Sequence, residues 1–160
     1  MKTKKLLTIL VLILIISFAY GSYNIALSKF TLSDKNNTYL GGIKFYRSDF
    51  GLEKGFQIAQ QEKKPVMVYF WAIWCQYCAK FQTDTLGNPQ VKQILENDYV
   101  LVAMDLDVDR DAASRYGVGY PPYLVFMDPN GNILQRVPGA VGPDYLLPIV
   151  TQVRDTVRSK

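Results

Sequence analysis

The 160-residue chain contains no histidine and only two cysteines, Cys75 and Cys78. A zinc site needs four protein ligands, or three ligands and a water molecule, and most of these ligands are cysteine or histidine. Two cysteines alone do not complete such a site, which would need carboxylates or a second chain. A purely structural disulfide is the other alternative, but closing so short a loop removes little chain entropy. The scarcity of metal ligands therefore favours a redox role for this pair.

A basic surface for nucleic-acid binding is also missing from most of the chain. The net charge is +4, but residues 1–48 carry seven lysines and arginines against one aspartate, and residues 49–160 carry a net charge of −2. Because the positive charge lies in the N-terminal part, we expect no nucleic-acid partner.

The acidic run Asp105–Asp111 lacks two residues that a calcium-binding EF-hand loop requires. Arg110 stands at the sixth loop position, which needs glycine, and Tyr116 stands at the twelfth, which needs glutamate. We interpret the run as a solvated strand end followed by a helix cap.

The N-terminus contains a lysine cluster followed by a long apolar run over residues 6–20. This pattern is typical of a signal peptide or of an uncleaved membrane anchor. The small residues Ala19 and Gly21 permit cleavage before Ser22. The apolar character continues to Leu27, however, which gives the roughly 20 residues that a spanning helix needs. We favour an anchor over residues 6–27, and the lack of a cysteine after the apolar run excludes a lipidated N-terminus.

Three predicted regions follow from this pattern. They are a signal peptide or membrane anchor (residues 1–27), a polar linker (28–48) with a short strand near 43–46, and a folded domain (49–160). The lysines before the apolar run keep the N-terminus cytoplasmic, so the domain is predicted to lie at the extracytoplasmic face of the cytoplasmic membrane. Cleavage near Ser22 would instead release a secreted protein. In either location a dithiol needs a dedicated supply of electrons.

Hydrophobic periodicity predicts alternating strands and helices in the folded domain. The expected elements are a helix from about residue 49, a strand at 66–71, helices at 75–83 and 89–97, a strand at 99–105, a short helix at 110–116 and strands at 123–127 and 133–137. A terminal helix follows. We expect it to begin near Leu146 or Leu147, because Pro148 is tolerated only in a first helical turn.

The cysteine pair stands where the apolar strand Val66–Trp71 gives way to helix-forming residues. Cys75 is then at a helix N-terminus, where unpaired N–H groups and the helix dipole favour a thiolate and lower the pKa of the thiol. The i, i+3 spacing puts Cys78 on the same helical face, close enough for a disulfide. This arrangement is the minimum needed for reversible dithiol–disulfide chemistry.

These residues resemble a known active site. The segment Phe70–Cys78, continued by Lys80 and Phe81, is similar to the thioredoxin active-site segment, and Tyr116–Phe126 resembles a second block of that family. The stretches Asn88–Val91 and Asp128–Gly131 make the chain most similar to the C-terminal thioredoxin domain of DsbD-type membrane thiol:disulfide interchange proteins. The resemblance covers about Asp49 to Val157. It implies an α/β, thioredoxin-like fold with a mixed central sheet flanked by helices.

The resemblance also implies a thiol:disulfide oxidoreductase of the protein-disulfide reductase type. Cys75 is expected to attack a client disulfide and Cys78 to resolve the mixed disulfide, with no metal and no cofactor beyond the Cys75–Cys78 disulfide. Expected partners are client proteins with disulfides, a DsbD-type transmembrane electron donor, and the membrane through the N-terminal segment. The alternatives are a disulfide oxidase or isomerase, or a redox-inert binding module. The dipeptide Gln76-Tyr77 contains neither Pro nor His, which argues against a strong oxidant.

Pro122 is the second functional position that the resemblance implies. In this family a cis-proline loop lies against the cysteines and presents its backbone to the substrate, and the spacing to Asp128 assigns that role to Pro122. Pro121 precedes it and has no N–H to offer a substrate. We expect substrate binding to involve the Pro121 carbonyl and the side chains of Trp74, Tyr77 and Tyr123.

Tyr69 departs from the family pattern. It occupies the position, six residues before the first cysteine, where the family has a buried Asp that helps to move the proton of the second thiol. Ile73 and Gln82 likewise stand where the DsbD-type domain has acidic residues. Because a phenol with an unperturbed pKa of about 10 is a poor base, we interpret Tyr69 as a core residue with a satisfied hydroxyl.

Overall fold

The computed structural model describes residues 37–159, together with residues 13 and 15–17. The predicted signal peptide or anchor and the first part of the predicted linker lie largely outside these residues. Within the described part of the chain, no helix combines the length and the apolar character needed to cross a membrane. The chain divides into two compact units, residues 1–35 and 36–160, and the second carries the fold.

A six-stranded mixed sheet forms the centre of this second unit. Its strands are β1 (Asn37–Leu40), β2 (Ile43–Arg47), β3 (Val66–Trp71), β4 (Val100–Asp105), β5 (Tyr123–Met127) and β6 (Ile133–Pro138), and they lie in the order β1-β2-β4-β3-β5-β6. β3 pairs in parallel with β4 and antiparallel with β5. Its apolar run is buried because both faces of the sheet are covered. The predicted α/β, thioredoxin-like fold with a mixed sheet is confirmed.

Helices cover both faces of the sheet. They are α1 (Ser48–Glu62), α2 (Gln76–Phe81), α3 (Pro89–Asp98), α4 (Arg110–Arg115) and α5 (Pro143–Arg158). One core contains Phe81, Leu95 and Leu146, from α2, α3 and α5. The other contains Leu52 of α1 and Ala112 of α4. The start of α2 therefore lies just beyond the carboxyl end of the central strand β3, and the helix packs on the first of these cores.

Part of the predicted linker belongs to the sheet. β1 and β2 form an antiparallel hairpin, and β2 continues the sheet in parallel with β4. The short strand expected near residues 43–46 is confirmed as β2, whose buried Ile43 and Phe45 alternate with exposed Lys44. The prediction of a linker is wrong for residues 37–47. β1 is a four-residue, mostly polar edge strand, and such a strand needs no apolar alternation.

The terminal helix begins earlier than predicted. α5 starts at Pro143, which occupies the first turn, and Pro148 lies inside the helix. An internal proline removes one backbone hydrogen bond and costs about 3 kcal/mol. The apolar stripe of α5 offsets this cost because four of its side chains are buried against the sheet, namely Leu146, Val150, Val153 and Val157.

Candidate active site

Cys75 and Cys78 form a disulfide at the start of α2, with their Cα atoms 5.2 Å apart. Cys75 is the N-cap residue and has an extended backbone. Its Sγ accepts a hydrogen bond from the Cys78 N–H at 3.0 Å. Its carbonyl oxygen accepts from the N–H groups of Cys78 (3.0 Å) and Ala79 (3.2 Å). The predicted placement of Cys75 at a helix N-terminus is confirmed, and a helical N–H already points at the sulfur that would carry a thiolate charge.

The two cysteines differ in their access to solvent. Cys75 is 7% exposed and Cys78 is 1% exposed. Both pack with Ala72 and Trp71 at the end of β3. Cys75 is therefore the less deeply buried of the two sulfurs.

Large, exposed apolar side chains stand beside the two cysteines and the proline pair in the sequence. We call Ile73, Trp74, Tyr77 and Tyr120 the site rim; they are 81%, 62%, 72% and 56% exposed, respectively. Three of them come from the active-site turn and the first turn of α2, and Tyr120 precedes the proline pair. Trp74 and Tyr77 were identified from the sequence. Tyr120 was missed as an individual residue, although its position beside the prolines is a signal for it.

The indole of Trp74 is held by an acidic side chain from another loop. Its Nε1–H donates a hydrogen bond of 2.8 Å to Asp107, which lies between β4 and α4. The same loop is joined to β3 because the N–H of Leu106 donates to the carbonyl oxygen of Trp71 at 2.9 Å. Asp107 was not identified as a site residue, because nothing in the sequence marks a contact across 33 positions.

The remaining aspartates of this loop bind its own backbone. Asp109 accepts the Asp105 N–H at 2.8 Å, and Asp105 accepts the Asp107 N–H at 3.0 Å. The carboxylate of Asp109 also accepts from Ser48 Oγ at 3.3 Å, rather than from a helical N–H of α4. The acidic run thus shapes the strand end, as predicted, but its side chains do not cap the helix.

The Pro121–Pro122 peptide bond is cis, which agrees with the role predicted for Pro122. Phe70 of β3 pairs with Tyr123 of β5, so the two prolines lie beside the end of β3, where the active-site turn begins. Pro122 is buried and its carbonyl oxygen accepts the N–H of Gly139 at 2.8 Å. Pro121 is half-buried.

Tyr123 and Tyr120 form a pair next to the prolines. Their rings meet edge-to-face with centroids 6.1 Å apart. Tyr123 is half-buried and packs against the core that α1 covers, whereas most of the Tyr120 ring faces solvent. Of the two tyrosines, Tyr120 therefore exposes the larger surface to solvent, and Tyr123 supports it.

Tyr69 is wholly buried on the inner side of α2. Its ring packs against Phe81 and Phe45, with centroids 5.5 Å and 6.1 Å away, and its hydroxyl oxygen accepts a hydrogen bond of 3.3 Å from Gln82 Nε2. Burial raises the pKa of Tyr69 to about 12, although the Gln82 hydrogen bond opposes the rise. The interpretation of Tyr69 as a core residue with a satisfied hydroxyl is confirmed, and its partner is one of the two residues that replace acidic ones.

The segment after α2 is a π-helical turn, Gln82–Leu86, which other parts of the fold hold in place. Thr85 Oγ1 donates to the carbonyl oxygen of Val141 at 2.6 Å. Gly41, in the β1–β2 turn, lies so close that an added Cβ would be 2.5 Å from the carbonyl oxygen of Gln82. The hairpin and the loop before α5 thus fix the helix that carries both cysteines.

Comparison with known proteins agrees with this geometry. A family model described as a thioredoxin-like domain matches residues 52–154. The thiol:disulfide interchange protein DsbD of Pseudomonas fluorescens (strain Pf-5) is 30% identical over 115 residues, which cover 68% of this chain and 20% of that protein. DsbD of Campylobacter jejuni (strain RM1221) is 28% identical over 95 residues, covering 57% of this chain and 16% of the relative. The chain thus spans a fifth or less of the length of these relatives.

Solved structures share the fold. A thioredoxin from Thermus thermophilus is 27% identical, with a TM-score of 0.60 and coverage of 68% of this chain and 86% of that one. The oxidised C-terminal domain of DsbD from Neisseria meningitidis is 23% identical, with a TM-score of 0.59 and coverage of 68% and 97%. The residues that the family model matches include both cysteines, Pro122 and the strands β3 to β6. This chain belongs to the thioredoxin-like family and is similar in sequence to part of the DsbD thiol:disulfide interchange proteins.

Proposed function

We propose that this protein is an extracytoplasmic thiol:disulfide oxidoreductase that reduces disulfides in client proteins. The observation that carries the proposal is Cys75 at the start of α2, the less deeply buried of the two cysteines, with its sulfur accepting a helical N–H from Cys78. The relatives named thiol:disulfide interchange protein support the same chemistry. The lysine-flanked apolar segment over residues 6–27 supports attachment to the membrane, with the domain outside the cytoplasm.

The proposed reaction is an exchange of two electrons and two protons. The thiolate of Cys75 attacks one sulfur of the client disulfide, and the other client sulfur leaves as a thiolate and takes up a proton. Cys78 then loses its proton and attacks the sulfur of Cys75, which releases the second client thiolate. The client gains a dithiol, and the protein ends with the Cys75–Cys78 disulfide.

Each turnover requires an electron donor. A dithiol on a DsbD-type transmembrane protein is the donor class we propose, since it would reduce the Cys75–Cys78 disulfide by the same exchange in reverse. The substrates are then any client disulfides with a reduction potential above that of this protein.

The test uses the full chain in detergent, with a protein disulfide as substrate and dithiothreitol as the source of electrons. We expect Cys75→Ser to abolish turnover. Cys78→Ser, the matched control, is first reduced and then freed of dithiothreitol; it should attack once and accumulate a mixed disulfide that non-reducing electrophoresis detects. Turnover that survives Cys75→Ser would refute the proposal.

The reduction potential distinguishes a reductase from the alternative oxidase. Equilibration of the full chain with glutathione buffers should give a value near that of thioredoxin, about −270 mV. A reduction potential of about −120 mV, which is typical of a strong oxidant, would instead assign the protein to disulfide formation.

A further inference from the structure

We propose that Gly41, in the turn between β1 and β2, is a positioning residue for Cys78 in the second exchange step. Its backbone supports the carbonyl oxygen of Gln82, and through Gln82 it holds Cys78 where its sulfur attacks that of Cys75. The first attack, on the client disulfide, does not depend on this contact. The inference rests on the proposed function, because it concerns one step of that reaction.

The first step of the argument is the contact between the turn and the end of α2. Gly41 has a φ of +59°, which favours glycine. A Cβ atom added there would lie 2.5 Å from the carbonyl oxygen of Gln82 and 2.6 Å from the Cβ of Leu86. Both neighbours are rigidly attached to the backbone, so neither can rotate away. Only a residue without a side chain therefore fits between the turn and the end of the helix.

The second step is that the turn itself is held in place. Leu40 and Ile43, on either side of it, are buried in the core on which α2 packs. Lys92 of α3 donates a hydrogen bond of 2.9 Å from its Nζ to the carbonyl oxygen of Gly42. Because the turn is anchored on both sides, a side chain added at Gly41 would displace the end of the helix as well as the turn.

The third step leads from Gln82 to the resolving cysteine. The backbone N–H of Gln82 donates to the carbonyl oxygens of Cys78 and Ala79. The carbonyl oxygen of Gln82 accepts the N–H of Gly87 at 3.0 Å. Gln82 therefore joins the last turn of α2 to the π-helical turn, and a shift of Gln82 is passed directly to the backbone of Cys78.

Cys75 is held by a contact that does not involve the hairpin. Its N–H donates to the carbonyl oxygen of Ala72, directly after β3, at 3.2 Å. The first attack needs only the thiolate of Cys75, whereas the second needs the sulfur of Cys78 in line with the mixed disulfide. A misplacement of about 1 Å slows such an oriented step by about 100-fold. A displaced Gln82 should therefore slow the second step and spare the first.

The experiment follows both steps with an aromatic disulfide, dithiobis(nitrobenzoate), at an equimolar concentration. The full chain in detergent is first reduced and then freed of dithiothreitol. The thiolate of Cys75 displaces one coloured thiolate and forms a mixed disulfide. The thiolate of Cys78 then attacks the sulfur of Cys75, which forms the Cys75–Cys78 disulfide and displaces the second coloured thiolate. The two phases of colour give the two rates, and the second rate should not depend on the reagent concentration.

Three variants separate the contact from other effects. Gly41→Ala should slow the second step about tenfold and change the first by less than about twofold. Gly42→Ala is the matched control, because Gly42 also has a positive φ but its added Cβ would meet only Lys92 Nζ, 3.4 Å away. It should leave both rates within about twofold. Lys92→Met loosens the turn without adding a clash, so it should slow the second step about threefold and leave the first unchanged.

The outcomes distinguish this proposal from the proposed function. If the wild-type protein does not release both coloured thiolates, the proposed function fails. If it does, but Gly41→Ala slows neither step or slows both equally, the positioning proposal alone fails. Equal slowing of the second step by Gly41→Ala and Gly42→Ala would also overturn it, because the lost backbone freedom of glycine would then be the cause. If Gly41→Ala does not fold, an unchanged second step in Lys92→Met overturns the proposal.

Discussion

The two sides of the disulfide differ sharply in their surroundings. On the outer side, beside Cys75, stand the exposed apolar side chains of the site rim. Asp107, in an acidic loop, orients the Trp74 indole among them. On the inner side, beyond Cys78, Tyr69 is buried among aromatic rings and bonded to the neutral amide of Gln82. The outer side exposes apolar surface to solvent, and the inner side holds the helix without a charged group. In the proposed reaction, the first exchange step would take place at a surface and the second beside a neutral core.

The largest expected effect concerns the relative reactivity of the two thiols. After reduction, Cys75 should be alkylated at least about tenfold faster than Cys78 at neutral pH, because it is more accessible and has a helical N–H directed at its sulfur. Timed iodoacetamide labelling followed by mass spectrometry measures the two rates separately. Faster labelling of Cys78 would reverse the attacking and resolving roles.

The next prediction places a charge on the inner side. Tyr69→Asp should lower the free energy of unfolding at pH 7 by about 3 kcal/mol or more, because a carboxylate would be buried without a prepared partner. Burial raises the pKa of the introduced carboxyl above its unfolded value, so the loss should be smallest near pH 4 and should grow as the pH rises. Urea unfolding at several pH values tests this. Tyr69→Phe, the control, should lose only about 1 kcal/mol. Equal losses in both variants would show that the site tolerates a charge.

The third prediction concerns alkaline pH. The pKa of Tyr69 is raised to about 12 in the folded protein, against 10.0 for an ordinary tyrosine. Its contribution to stability is therefore fully present below pH 10 and is lost as the pH rises through about 12. Tyr69→Phe should remove part of the alkaline destabilisation of the wild-type protein. Tyr99→Phe should remove another part, since burial also raises the pKa of Tyr99. Identical alkaline unfolding curves for Tyr69→Phe and the wild type would contradict this account.

A smaller effect is expected on the rate of the second exchange step. Because the Tyr69 phenol stays protonated at neutral pH, resolution of the mixed disulfide should rise with a single apparent pKa that belongs to Cys78. Tyr69→Phe should change the rate less than about twofold, whereas Tyr69→Asp should add a second, coupled titration. Single-turnover rates across a pH series measure this. A large loss of rate in folded Tyr69→Phe protein would mean that the hydroxyl takes part in proton transfer.

The smallest predicted effect lies on the outer side. Asp107→Ala removes the acceptor of the Trp74 indole, so the ring should become more mobile while stability falls by less than about 1 kcal/mol. Fluorescence anisotropy of a Trp71→Phe background, in which Trp74 is the single tryptophan, reports the motion directly. Unchanged anisotropy would show that packing, rather than this hydrogen bond, orients the ring.

Local chemistry explains which parts of this molecule were predictable from the sequence. The apolar run of β3 and the cysteine spacing each act within a few residues, and the corresponding elements were found where expected. β1 was missed because an edge strand needs neither length nor an apolar face. The start of α5 was misplaced because burial of its apolar stripe outweighs the local cost of Pro148.

The same distinction holds within the site. The cysteine pair was predicted from its spacing and its place between a strand and a helix, and the cis-proline from the family resemblance. The Asp107–Trp74 and Gln82–Tyr69 hydrogen bonds join residues 33 and 13 positions apart, and only the fold determines that they meet. The sequence therefore predicted that the Tyr69 hydroxyl would be satisfied, but it did not identify the residue that satisfies it.

The glycine turn of the β1–β2 hairpin determines how much of the chain must accompany the two cysteines when they are grafted into another protein. Gly41 touches the π-helical turn behind the cysteines, and Phe45 packs on Tyr69. A graft cut at Asp49, where the sequence suggests a boundary, would uncover both contacts and leave β4 without its outer neighbour. The smallest fragment that keeps the whole hairpin and these contacts therefore begins no later than residue 37. A shorter insert would carry the two sulfurs into a new host but leave behind the strands that support their helix.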